Sequence, residues 1–296
     1  MAAGSPWRSI TVVVDTQQKS HPALDKAAAL AARCGAGLTL LNTFVLPQPM
    51  ADVARISARS LINAALRERR QQLEKLADPL RRRKLRVKCL VEWDYPQSEA
   101  VVRHVLANRP DMVVAETTRH NRFARWILAN TDWELIRTCP CPLWLVRGGR
   151  PSRNLDLLVA VDPAHGLANR TRLDVRLMEA AARFVDCMGG TVSMVHVDNP
   201  RATQIDAVER LATRHGVAPD HRHVIPGEVT RVLPKLVGKL QPDVLLMGAV
   251  SRSRVGEPFI GTTAERLIDR VTCDVFVVKP AGFKSPVTRR KPRIPA

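Results

Sequence analysis

Apolar residues along the chain follow two alternating rhythms. Short unbroken runs, such as Val12–Val14 and Leu157–Val161, are rich in valine and leucine, and each stops at an aspartate (Asp15 and Asp162). Between the runs lie longer segments in which apolar residues return every three or four positions. The first rhythm predicts strands and the second amphipathic helices. Strands are expected near 9–14, 38–44, 86–91, 112–116 and 142–146, then near 157–162, 191–197, 222–225, 243–247 and 274–278. Helices are expected near 22–34, 57–77, 97–108 and 131–138, then near 173–188, 202–214, 228–240 and 262–270. Continuous apolar strands alternating with helices suit a parallel sheet covered on both faces. Such a sheet binds ligands beyond the carboxyl ends of its strands, at a topological switch point.

The pattern occurs twice. Arg109-Pro-Asp-Met-Val-Val-Ala-Glu116 aligns with Gln241-Pro-Asp-Val-Leu-Leu-Met-Gly248, and Cys141-Pro-Leu-Trp-Leu-Val-Arg147 aligns with Cys273-Asp-Val-Phe-Val-Val-Lys279. Internal repetition of this kind marks a duplicated unit. The fold class is therefore α/β, with two tandem, doubly wound, five-stranded parallel-sheet domains. Gly148-Gly149-Arg150-Pro151-Ser152-Arg153 reads as the break between them. The expected division is 1–148, 154–283 and a basic, mobile tail at 284–296.

Composition narrows the class. Hydrophobic residues make up 45% of 296 positions, enough for packed cores. Apolar runs fall well short of a membrane span and no secretory leader is legible, so a cytoplasmic protein without stable membrane insertion is expected. The net charge of +18 is spread over both halves. It leaves nucleic acid or anionic lipid open as partners, most of all at Arg81-Arg82-Arg83-Lys84 with Arg86 and Lys88, although a solvated loop has the same composition. Aromatic residues, at 4%, are too few for a stacking platform for single strands. The six cysteines read as buried hydrophobes, and the two-residue step of Cys139-Pro140-Cys141 is wrong for a CxxC site. His221 and His223 are placed on one face of a strand, as a metal pair or a solvent-edge pair.

The chemistry concentrates after the fourth strand of the second copy. Gly248 allows close backbone approach to a ligand at a strand end. Gly261 precedes a helix whose first N–H groups are free and favour anions. Thr262 or Thr263 supplies a hydroxyl, and Arg252 and Arg254 lie in the loop between. Asp162 and Val197 fall at neighbouring strand ends. An inherited turn and helix cap with no ligand produces the same residues.

The spacing Gly248-x2-Ser251-x9-Gly261-Thr262 resembles the G-x2-G-x9-G-[ST] motif of the universal stress protein family. With Asp162 after strand one and His196-Val197 ending strand two, the resemblance covers nearly the whole chain, in both copies. It is strongest to the tandem E-type members of proteobacteria, through Thr131-Asp132-Trp133 and the closing segment TAERLIDRVTCDVFVVKP. The resemblance implies a Rossmann-like fold of the adenine nucleotide alpha hydrolase type and a role in stress response. It implies ATP or another adenine nucleotide, with or without Mg²⁺, bordered by Asp162 and Val197 and contacted by Gly248, Ser251, Gly261 and Thr262. It also implies pairing through strand five. Here that pairing would run between 142–146 and 274–278 as an intramolecular pseudo-dimer, and two chains could still associate as a homodimer. Ser251, where the family has its second glycine, departs from the pattern and puts a Cβ on the phosphate path.

In the first copy the aligned positions are Glu116, Arg119, Ala129 and Asn130, with Asp132 at the helix start. Carboxylates there repel phosphate and compete for the helix N-terminus. No nucleotide is expected in the first copy. Arg119, Arg122 and Arg125 read as a solvated stripe. No GxSxG or HExxH spacing occurs, and neither a dedicated base nor a Mg²⁺ carboxylate set is legible, so any ATP hydrolysis would be slow and secondary.

Overall fold

The computed structural model describes residues 6–45, 55–94, 96–117, 130–163, 168–198, 205–249 and 262–288. The first copy runs β1 (Ser9–Val13), α1 (Pro22–Cys34), β2 (Gly37–Phe44), α2 (Arg55–Arg82), β3 (Val87–Trp93), α3 (Gln97–Asn108), β4 (Met112–Glu116), α4 (Asn130–Thr138) and β5 (Leu143–Val146). The second runs β6 (Leu155–Ala160), α5 (Ala168–Met188), β7 (Gly190–Asp198), α6 (Ile205–Arg214), β8 (Arg222–Pro226), α7 (Val229–Leu240), β9 (Val244–Gly248), α8 (Thr262–Arg270) and β10 (Asp274–Val278).

The two copies share one ten-stranded sheet in the order β3-β2-β1-β4-β5-β10-β9-β6-β7-β8. Every pairing inside a copy is parallel; the single junction, β5 with β10, is antiparallel and sets Trp144 opposite Phe276. Side chains alternate across the sheet. Ile10, Val12 and Val14 face a core packed by α1, α2, α5 and α6, and Leu41, Val113 and Ala115 face one packed by α3, α4, α7 and α8. Each core draws residues from both copies. At the seam the Phe184 ring meets Trp7 (5.6 Å between centroids), Trp144 (5.4 Å) and Phe276 (5.1 Å). Rings at these separations and tilts attract beyond their burial.

The repeated Pro-Asp step is scaffold. Arg109 and Gln241 both take left-handed φ values of 49° to end α3 and α7. The aspartates that follow pin the first strands. Asp111 Oδ2 accepts the N–H groups of Arg8 (2.8 Å) and Ser9 (2.9 Å), and Asp243 Oδ2 accepts that of Asp156 (2.9 Å). Gly190, with φ 112°, opens β7 where an added Cβ would stand 2.0 Å from the Leu155 carbonyl oxygen, so no side chain fits there.

Two differences from the pattern reading have physical causes. The second helix runs on to Arg82 through Pro79, because the bond a proline cannot make is lost close to the helix end. Val287 packs against the core, and its N–H donates to Ser285 Oγ (3.2 Å), so the start of the expected mobile tail is docked. Residues 289–296 lie outside the described residues. Among the described residues, no helix is long and apolar enough to cross a membrane.

Candidate functional site

In the second copy β9, β6 and β7 lie side by side. Gly248 closes β9 and Val197 is the penultimate residue of β7. Asp162 lies two residues beyond β6, not within it. The ladder to β9 ends at Val159–Leu246, while the Val161 N–H still reaches the Val195 carbonyl (2.9 Å). The chain therefore leaves β9 first and stays with β7 longer. Parting strands of this kind make the ligand crevice in doubly wound sheets.

Two side chains hold this end in place. Buried His196 contacts the Val161 carbonyl through Nδ1 (3.1 Å), which fixes that nitrogen as the N–H donor. Asp174, in the opening turns of α5, accepts the Asp162 N–H through Oδ1 (3.1 Å). Asp162 itself is exposed. Asp174 was not legible in advance, since an aspartate in an amphipathic helix reads as a solvent-face residue.

Gly248 does more than permit ligand approach. A Cβ built there would lie 2.5 Å from Leu173 Cδ2, so the missing side chain is the space into which α5 packs. Past the glycine the Ala249 N–H bonds the Val278 carbonyl (3.0 Å), keeping the chain on the sheet. Ser251, Arg252, Arg254 and Gly261 lie outside the described residues, as do the side chains of Thr262 and Thr263. The helix α8 starts at Thr262. By helix geometry, its first amides have no partner within the helix.

The first copy fills the same place differently. Glu116, aligned with Gly248, ends β4 with its carboxylate 3.4 Å from the Ala23 N–H, at the N-terminus of α1. Burial raises its carboxyl above the usual range. The Ala23 N–H pulls the other way, and Asp15 and Asp25 push upward again. Three carboxylates thus converge on the strand end where a polyphosphate would need cations or amides. The crevice wall is otherwise homologous. Asn42 Nδ2 donates to the Val14 carbonyl (2.7 Å), the bond that His196 makes in the second copy. Arg119, Arg122, Arg125 and Ala129 lie outside the described residues, as do the side chains of Asn130 and Asp132.

The remaining candidates separate clearly. His221 belongs to the turn Pro219–His221 and not to the strand, and its Nδ1 meets Ser193 Oγ (2.9 Å). The alternation that would set it on one face with His223 is therefore broken. Among the described residues, no group of three or more His, Cys, Asp or Glu side chains could hold a metal. Arg81, in the basic cluster, is bound locally by Glu74 (2.5 Å), Asp78 (3.3 Å) and the Val87 carbonyl. All six cysteines are free thiols.

Known proteins give the same picture. The model of the universal stress protein family matches twice, at residues 6–147 and 158–279. Universal stress protein E of Escherichia coli K12 is 25% identical over 305 residues, covering 95% of this chain and 96% of its own. The homolog from Haemophilus influenzae is 23% identical over 269 residues, covering 82% and 86%. Among solved structures, a protein of unknown function from Pseudomonas aeruginosa PAO1 superposes with a TM-score of 0.73 at 22% identity, covering 93% of both chains. A universal stress protein from Archaeoglobus fulgidus superposes at 0.70 with 15% identity, covering 93% of this chain and 97% of its own.

Proposed function

The chain belongs to the universal stress protein family, and on that premise we propose that its second copy binds one adenine nucleotide, ATP foremost, while the first binds none. The observation that carries this reading is the contrast at the end of the fourth strand. Gly248 brings no charge to the crevice, and α8 begins beyond the loop at Thr262. The aligned Glu116 brings a carboxylate that already occupies a helix N-terminus. The residues fit such a ligand in kind. Asp162, exposed beside Val197, offers acceptors to ribose hydroxyls. The amides opening α8, with the Thr262 and Thr263 hydroxyls, Gly261, Ser251 and Arg252, would meet the phosphates. Mg²⁺, where it accompanies the nucleotide, would rest on phosphate oxygens, because no carboxylate set is gathered for it among the described residues. The role is storage or sensing of nucleotide in a cytoplasmic stress response, with hydrolysis slow at most. We read the antiparallel β5–β10 junction as an intramolecular counterpart of a dimer interface, leaving further homodimerisation open.

The test uses the full chain, because both cores are shared between copies. Gly261→Asp should abolish ATP binding, measured by calorimetry, without altering the melting temperature of the unliganded protein by more than a few degrees. Retained affinity would put the site elsewhere.

A second reading has its own observation. Leu173 fills the space over Gly248, so the glycine is explained by packing alone. On that reading the fold is a ligand-free scaffold whose basic surface meets protein, lipid or nucleic acid. A folded chain with no saturable ATP binding at millimolar concentration would favour it.

A further inference from the structure

The turn between α4 and β5 holds two thiols in contact. Cys139 Sγ and Cys141 Sγ are 3.6 Å apart across Pro140, whose ring fixes the backbone between them. Cys139 is anchored at the helix end by its N–H bond to the Leu135 carbonyl (2.9 Å) and is 1% exposed, while Cys141 is half-buried. The other copy supplies a cation. Lys279, just past β10, is 4% exposed, with its ammonium 3.4 Å from the Arg137 carbonyl and 4.6 Å from the centre of the Phe283 ring. A desolvated ammonium is costly to keep charged. Burial accordingly pulls Lys279 down to about 8, while charge on Cys139 works against that fall.

We propose that Cys139 and Cys141 form a redox-active dithiol, a modification site at which hydrogen peroxide converts the pair to an intramolecular disulfide. The thiolate is the reactive form of cysteine, and here one sulfur is favoured to carry it. The hydrogen bond from Cys141 lowers the Cys139 thiol, burial opposes, and the Cys141 N–H and the Lys279 charge lower it further. The other thiols move upward through burial: Cys34 to about 12, Cys89 and Cys273 to about 11, and Cys187 in the same direction. In the first step the Cys139 thiolate forms an S–O bond as the O–O bond of peroxide breaks, leaving a sulfenic acid and hydroxide. In the second, Cys141 sulfur attacks that sulfur, the S–O bond breaks, and the departing hydroxide leaves as water with the Cys141 proton. Two electrons from the thiol pair thereby reduce one peroxide to two waters. Burial of Cys139 selects a reagent as small as peroxide.

The experiment treats the folded, fully reduced chain with hydrogen peroxide and follows intact mass and peptide maps. The expected product has lost two hydrogen atoms, carries a Cys139–Cys141 bond and returns to the starting mass with dithiothreitol. Cys141→Ser should stop at a Cys139 sulfenic acid, read as the gain of one oxygen atom in the intact mass and mapped to the Cys139 peptide. Lys279→Met, checked for folding by its melting temperature, should form the disulfide more slowly than the native chain, through a smaller thiolate fraction. A bond that forms first between any other cysteines, or no mass loss in millimolar peroxide while the chain stays folded, would overturn the proposal. An unchanged rate in Lys279→Met would overturn the part given to the ammonium.

Discussion

Lys26, on the first helix, places its Nζ 2.8 Å from Oδ2 of Asp274, the first residue of the last strand. The same carboxylate accepts the Trp144 indole N–H (3.1 Å) and the Arg147 N–H (3.1 Å). Its side chain is 4% exposed, so one buried acid ties both copies and the seam strand together.

Removing the cation alone should be costly. Burial already raises the Asp274 carboxyl, with Lys26 as the main opposing influence. Lys26→Met should lower unfolding stability by about 3 kcal/mol, the usual cost of orphaning a buried charge, and adding Asp274→Asn should recover much of it. Urea denaturation of the two single variants and the double variant measures the coupling. Additive losses would show that the pair is not one unit.

Gly248 can be examined for packing apart from ligand. Gly248→Ala should cost about 1–3 kcal/mol through its clash with Leu173. Leu173→Ala should cost about 2–4 kcal/mol by leaving a cavity. Together they should cost less than the sum, because each relieves the other. A strictly additive double variant would mean that the two side chains do not share this space.

Glu116 predicts a pH dependence. Its folded-state value is raised above the ordinary 4.5. As pH climbs past 4.5 the unfolded chain releases this proton while the folded chain keeps it longer. In that window the folded state holds more protons, and stability falls as pH rises. The stability of the native sequence relative to Glu116→Gln should therefore decline as pH rises from the ordinary 4.5 through the raised folded-state value. Denaturation curves for both proteins over that range measure it; a constant or growing difference would contradict the assignment.

Much of this architecture was legible because parallel strands buried on both faces leave continuous apolar runs, and the repeat reports itself through Pro-Asp steps such as Arg109-Pro110-Asp111. Every expected strand and helix has a counterpart. The misses are instructive. The second helix was expected to end near 77, yet α2 runs on through Pro79 to Arg82. His221 fitted a strand alternation but belongs to a turn. The candidate site was legible only as a spacing of glycines and a threonine. That spacing carried no trace of Leu173 over Gly248, of Asp174 beneath Asp162, or of the match between Asn42 and His196, since all three depend on contacts between distant segments.

The central claim is one nucleotide site per chain, in the second copy. Titrating the full-length protein with ATP in a calorimeter, alongside the Gly261→Asp and Glu116→Gln variants, tests it most directly. The account predicts one equivalent bound by the native chain and by Glu116→Gln, and none by Gly261→Asp. Two equivalents, or binding untouched by Gly261→Asp, would contradict it.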